Sequence, residues 1–178
     1  MVRKTLLSLA ALTTVSTAVC LPAGAASSDS SAAAETQYKI VSAAGSPQNV
    51  LTAAPNSSGF TPDVFLFDNP SLTRQKWKIS RAAGDTSTVV IENVGNPGEC
   101  LSVLTGSTGV YSMTCDDSLA QRWKVPAAGA ATAQPIISAQ TNDALTRLQG
   151  NPDFSPIAVR STFTGAPDQL FKIIASSS

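Results

Sequence analysis

The 178 residues carry 12 basic and 12 acidic side chains, no histidine, and only 13% charged residues in all. A neutral chain without a basic run or a basic amphipathic helix has no electrostatic footprint for nucleic acid or an anionic membrane. The missing histidine removes Ser-His-Asp and Cys-His catalysis, together with histidine-based zinc sites.

The length allows one domain, and the N-terminus falls outside it. Arg3 and Lys4 precede an apolar run from Leu6 to Val19, and Ala23-Gly24-Ala25-Ala26 follows. This order reads as a secretory signal peptide over residues 1–25, cleaved near Ala25, so the chain is expected to be secreted. Thr13, Thr14, Ser16 and Thr17 interrupt the run. It falls short of the roughly 20 apolar residues a membrane span needs, so no membrane insertion is expected. Lipidation of Cys20 is the alternative, and Val19 before it fits such a site poorly. Residues 26–36 carry no periodicity and read as a disordered leader. Loss of Arg3 and Lys4 leaves ten basic against twelve acidic residues, a net charge of −2.

From residue 37 onward short β-rich segments follow one another, separated by turn chemistry. Tyr38–Val41, Val50–Ala53, Asp63–Phe67 and the stretch "RQKWKIS" ending at Ser80 come first. Asn56-Ser57-Ser58 between them is a glycosylation sequon if the source is eukaryotic. Thr88–Glu92, Cys100–Val103, Gly109–Met113 and "AQRWKVP" form a second set, and Pro135–Ser138, Ala144–Arg147, Ile157–Ser161 and "DQLFKII" a third. The separators are rich in Gly, Pro, Asn, Asp and Ser, and no window sustains a helical apolar pattern. Twelve short strands argue for an all-β barrel or sandwich.

Repetition narrows the choice. Gln75, Gln121 and Gln169 stand 46 and 48 residues apart, each followed two positions on by Trp77, Trp123 or Phe171. Upstream, Leu51-Thr52, Leu101-Ser102 and Leu145-Thr146 repeat a second mark. Three equal units, at about 37–80, 81–125 and 126–174, can close on one another and so abolish sheet edges. By β-alternation Gln75, Trp77 and Ile79 share one face and Lys76 and Lys78 the other. The three aromatics are expected to form one core layer, with the three glutamines satisfying nearby backbone groups.

Once Cys20 leaves, Cys100 and Cys115 remain. An even count in an exported chain suggests a disulfide, two buried free thiols being the alternative. There is no phosphate-binding glycine loop. The Asp116–Asp117 pair offers two carboxylates, but neighbours on a strand face opposite ways and such pairs commonly form turns. No catalytic residue, cofactor or metal set is assigned, and the chain is not expected to be an enzyme.

The three Gln-x-aromatic marks in register, with "GECLSV…C" in the middle unit, resemble the ricin-type β-trefoil family across residues 37–174. The resemblance implies a pseudo-threefold, twelve-stranded β-trefoil of three ~46-residue repeats, occupying residues 37–178, with up to three shallow sugar sites. In sugar-binding members an Asp follows the Cys-Leu mark, an aromatic lies two positions before the second Cys, and an Asn precedes the Gln. Here the Asp positions hold Thr52, Ser102 and Thr146, and the Asn positions Arg74, Ala120 and Asp168. A gapless match of Val64–Gln75 to Val110–Gln121 pairs Phe67 with Met113 and Phe65 with Tyr111. In the third unit the aromatic position falls near Arg160 or Ser161. Phe65 and Phe67 share a face, which is either core or ligand-facing. A hydroxyl cannot make the charge-assisted bonds of a carboxylate, so galactose binding of the usual kind is not expected.

The sugar-binding candidates are Thr52, Phe67, Asp68 and Asn69 in the first unit, and Ser102, Tyr111, Asp116 and Asp117 in the second. The resulting expectation is a secreted lectin-like protein with a glycan or glycoprotein ligand and altered specificity. One alternative is a protease inhibitor acting through the braced loops "TAAPNSSGFTP" and "RLQGNPDFSP". Another is a docking subunit that joins a larger secreted toxin or effector partner.

Overall fold

Three four-strand units make up the computed structural model, which describes residues 35–45, 49–55, 63–67, 69, 71–149 and 155–176. All of these lie in one unit, Ala34–Ser178. The expected signal peptide, most of the leader, Asn56 and Asp68 fall outside the described residues. The first repeat holds β1 (Gln37–Ser42), β2 (Val50–Ala53), β3 (Val64–Phe67) and β4 (Trp77–Arg81). The second holds β5 (Val89–Asn93), β6 (Glu99–Ser102), β7 (Tyr111–Thr114) and β8 (Arg122–Lys124). The third holds β9 (Ile137–Ser138), β10 (Ala144–Arg147), β11 (Ser155–Arg160) and β12 (Phe171–Ala175). No α-helix occurs among the described residues.

The outer strands of each repeat close into a six-stranded barrel. β1 pairs with β4 at Tyr38↔Trp77, β4 with β5 from Trp77↔Asn93 to Arg81↔Val89, and β5 with β8 at Val89↔Trp123. β8 pairs with β9 at Trp123↔Ser138, and β12 with β1 from Tyr38↔Ala175 to Ser42↔Phe171. Gln134 and Phe171 close the last gap by exchanging N–H···O bonds of 2.9 and 2.8 Å. The barrel therefore leaves no free edge.

The inner strands form three hairpins, β2–β3, β6–β7 and β10–β11, which cap one end. Different devices join them. β11 pairs with β3 at Ser155↔Leu66, and the Val159 N–H donates to Thr108 O at 2.8 Å. Between the first two hairpins a side chain replaces the ladder, because Ser112 N–H donates to Asp63 Oδ1 at 2.7 Å. This is a threefold β-trefoil, broken locally by its sequence.

Trp77, Trp123 and Phe171 are fully buried in one cluster with Leu51, Leu101 and Leu145 and with Ile40, Ile91 and Ile136. Each repeat thus contributes an equivalent aromatic, leucine and isoleucine to the common interior. The indole N–H of Trp77 donates to Leu51 O at 3.0 Å, and that of Trp123 to Leu101 O at 2.8 Å. Phe171 has no such donor.

The glutamines differ from the extended geometry expected of them. Each ends a 3₁₀ turn, Thr73–Gln75, Leu119–Gln121 or Pro167–Gln169, and the strand begins after it. The Gln N–H bonds three residues back in every copy, to Leu72 O, Ser118 O and Ala166 O. That turn swings the side chain beneath the neighbouring hairpin. Gln75 Nε2 donates to Phe67 O at 2.6 Å, Gln121 Nε2 to Thr114 O at 2.8 Å, and Gln169 Nε2 to Thr162 O at 2.7 Å. Gln121 Oε1 accepts from Asp116 N–H, and Gln169 Oε1 from Thr164 N–H. The corresponding residue ahead of Gln75 is Pro70, which has no N–H to give. Gln75 Oε1 has no partner among the described residues.

The turn between β4 and β5 carries an acid-sensitive element. Asp85 accepts from Thr88 Oγ1 at 2.6 Å and from Ser87 N–H and Oγ at 2.7 Å each. These bonds, that of Thr88 foremost, lower its pKa from 3.8 to about 2. A depressed carboxylate contributes stability above its unfolded value, and that contribution is lost as pH falls through its folded value. The stabilisation is therefore full above pH 3.8 and disappears on descending through about 2. An NMR titration of Asp85 is expected to show a midpoint near 2. Thr88→Val should move that midpoint upward; an unchanged midpoint would refute the hydrogen-bond origin.

Candidate functional site

The hydroxyls at the three family-Asp positions point into the protein. Thr52, Ser102 and Thr146 are buried, and each donates to the carbonyl two residues back at 2.9 Å. Thr52 and Thr146 also accept from the Gln75 and Gln169 amides at 3.1 and 3.3 Å. A short side chain finds these partners within its own hairpin, and a ligand finds little oxygen left to bind.

Phe65 and Phe67 are not core residues. Val64 and Leu66 take the inward face of β3, which leaves both rings half-buried on the outer face, edge to face with centroids 6.5 Å apart. Tyr111 is buried opposite Ser102, with its hydroxyl 3.0 Å from Ser107 Oγ. Asn69 Oδ1 accepts from Ser71 N–H and Oγ and so shapes its own turn. Asp116 is exposed, and bonds from the Ser118 backbone and then its hydroxyl hold its pKa below the ordinary value. Asp117 adopts a left-handed φ of 54°. Its Oδ2 accepts from Ala83 N–H at 3.2 Å and lies 3.5 Å from Arg122 Nη2. That carboxylate joins the second hairpin to the β4–β5 turn.

Arg74, at a family-Asn position, is equally committed. It donates to Ala53 O at 2.8 Å, and its backbone and Cγ crowd Gly95 so closely that a Cβ there would lie 2.4 Å from Cγ. The structure brings Thr52 and Phe67 together on Gln75, and Ser102 opposite Tyr111, but through internal bonds. The tips of the two loops considered for protease inhibition, 56–62 and 150–154, lie outside the described residues.

An open cleft of about 480 Å³ lies in the third repeat instead. It is lined by Thr146, Arg147, Arg160, Thr164, Asp168 and Gln169 among others. The ladder registers set Arg160 opposite Ala144, where the other repeats set Met113 opposite Cys100 and Phe67 opposite Val50. Arg160 is exposed and has no partner among the described residues. Arg147 is held by Ser155 Oγ at 3.1 Å and Gly45 O at 3.0 Å. Asp168 Oδ1 is buried and has no hydrogen-bond partner among the described residues. Phe163 stands between two lining residues, Thr162 and Thr164, and half its surface is exposed.

Arg160 and Asp168 occupy positions where the sequence resemblance implies sugar contacts, though neither is the residue type it implies, and Phe163 lies outside that pattern. One signal was present: nine residues separate Arg160 from Gln169, against eight from Phe67 to Gln75 and from Met113 to Gln121. Among the described residues no group of three His, Cys, Asp or Glu side chains is placed to hold a metal ion.

No protein-family model and no curated protein sequence matches the chain. Solved structures do. A mosquitocidal holotoxin is 19% identical with a TM-score of 0.64, covering 82% of this chain and 18% of its own. The designed threefold-symmetric protein ThreeFoil is 14% identical with a TM-score of 0.60, covering 77% of this chain and 96% of its own. The BEL β-trefoil is 18% identical with a TM-score of 0.59, covering 79% and 93%. At these identities the likeness establishes the fold. The chain spans under a fifth of the holotoxin chain it matches.

Proposed function

We propose that this chain is a secreted carbohydrate-binding β-trefoil whose sugar site is the third-repeat cleft. The observation that carries the reading is the Asp168 carboxylate in the wall of that cleft, whose Oδ1 is buried without a hydrogen-bond partner among the described residues. A carboxylate that its own protein leaves short of donors takes them from a ligand, through charge-assisted bonds stronger than those to a neutral oxygen. Sugar hydroxyls are such donors. Phe163, half exposed between the lining residues Thr162 and Thr164, is the ring we assign to cover the C–H face of a pyranose. An open cleft lined mostly by polar side chains suits the hydroxyls of a glycan terminus.

The test is binding of the purified protein to a glycan array, repeated with Asp168→Asn and Phe163→Ala. Asp168→Asn keeps the shape and removes the charge, so affinity should fall about tenfold, the difference between a charge-assisted and a neutral hydrogen bond. If no glycan is retained, or if both variants bind as the parent does, the proposal is wrong.

A docking role in a larger secreted toxin is the second reading. It is favoured by the mosquitocidal holotoxin, where the matched trefoil is 18% of a longer chain. Co-elution with a larger partner, undisturbed by Asp168→Asn, would select this reading.

A further inference from the structure

Resting on that reading, we infer that the third-repeat cleft selects acidic sugars, in which a ring carboxylate accompanies the hydroxyls. Two arginines, Arg147 and Arg160, and one carboxylate, Asp168, line the cleft, which gives these three a net charge of +1. Neither arginine forms an ion pair with Asp168 among the described residues, where the ion pairs are Lys78–Glu35 and Arg122–Asp117. Donor-only and acceptor-only groups thus line one opening without satisfying each other. A neutral sugar would meet Asp168 and leave Arg160 idle, and a simple anion would do the reverse. A sugar acid meets both, its hydroxyls donating to the Asp168 carboxylate and its own carboxylate accepting from the planar guanidinium fork of Arg160.

The two arginines have different tasks. Arg147 is anchored by Ser155 and Gly45, so it sets the shape and potential of the cleft. Arg160 is exposed and unpartnered among the described residues, and it stands where the other repeats carry Phe67 and Met113. The third repeat has put a cation on its rim where the others have apolar side chains. Charge selection therefore resides in this one of the three repeats.

The experiment compares matched immobilised glycans, neutral and acidic: galactan against polygalacturonate, and asialo- against sialylated oligosaccharide, with a sulfated oligosaccharide as a third arm. The acidic member of each carboxylate pair should bind about tenfold tighter, with the preference shrinking in high salt. Arg160→Gln should abolish the preference while the melting temperature stays unchanged. Equal binding of both members, or a preference that survives Arg160→Gln, overturns the inference while the carbohydrate reading stands. Competition by inorganic sulfate as effective as that by galacturonate also overturns it, since the site would then read charge without sugar. Stronger binding of the sulfated glycan than of either carboxylate glycan rejects the carboxylate assignment. Absence of all glycan binding removes both the inference and the reading beneath it.

Discussion

Trp123→Ala is expected to lower the free energy of unfolding by about 3–5 kcal/mol, measured by urea denaturation followed by circular dichroism. The indole is fully buried in a cluster to which every repeat contributes, so the neighbours cannot collapse into the gap without leaving their own strands. The change also strands Leu101 O, which accepts the indole N–H at 2.8 Å. Trp123→Phe separates the two effects. It keeps a phenyl ring but gives up the hydrogen bond and part of the indole volume, so it should cost about 1–3 kcal/mol, less than the alanine change. The third repeat already works this way, with Phe171 fully buried in the same cluster. A loss below about 1 kcal/mol for Trp123→Ala would mean that the aromatic layer does not hold the repeats together.

Opening the disulfide is the second large effect. Cys100 and Cys115 are bonded across a separation of 15 residues. On the loop-closure argument that crosslink contributes about 3 kcal/mol, chiefly by restricting the unfolded chain. Cys100 lies buried in β6 and Cys115 exposed just beyond β7, so the bond clamps the open end of the second hairpin, beside the Cys115 N–H bond to Gly98 O at 2.9 Å. Cys100→Ser with Cys115→Ser should lower the unfolding free energy by that amount. Faster amide exchange should appear first across β6 and β7. The first and third hairpins have no such crosslink and should keep their protection. A uniform rise in exchange across all three would instead assign the effect to the whole fold.

The fold was legible because its largest side chains recur. Trp77, Trp123 and Phe171, with the leucines of β2, β6 and β10, are the residues whose burial dominates the energy, and their spacing survives drift elsewhere. The local geometry around the glutamines was less so. A Gln before an aromatic strand reads as extended, and the 3₁₀ turn is fixed by side-chain bonds back to the end of the preceding hairpin, which alternation does not encode. The outward turn of Phe65 and Phe67 was undecidable from alternation, which fixes that two residues share a face but not which face is the core. The cleft was the least legible element. Its residues come from β10, β11 and the turn before β12, and they differ from the expected sugar-binding types at nearly every position. Arg160 and Asp168 stand at positions of the known pattern, but with chemistry the pattern does not carry.

The pairing of β1 with β12 bears on how such a domain can be carried. The first and last strands run side by side from Tyr38–Ala175 to Ser42–Phe171. A polypeptide that interrupts itself to host this domain must bring its severed ends only about one strand spacing apart, some 5 Å. The same neighbourliness permits circular permutation, since a short tether can sew the native ends together while new ones open in a surface turn. The closed barrel is therefore a portable cassette, able to be inserted, appended or rewired while every ladder stays intact.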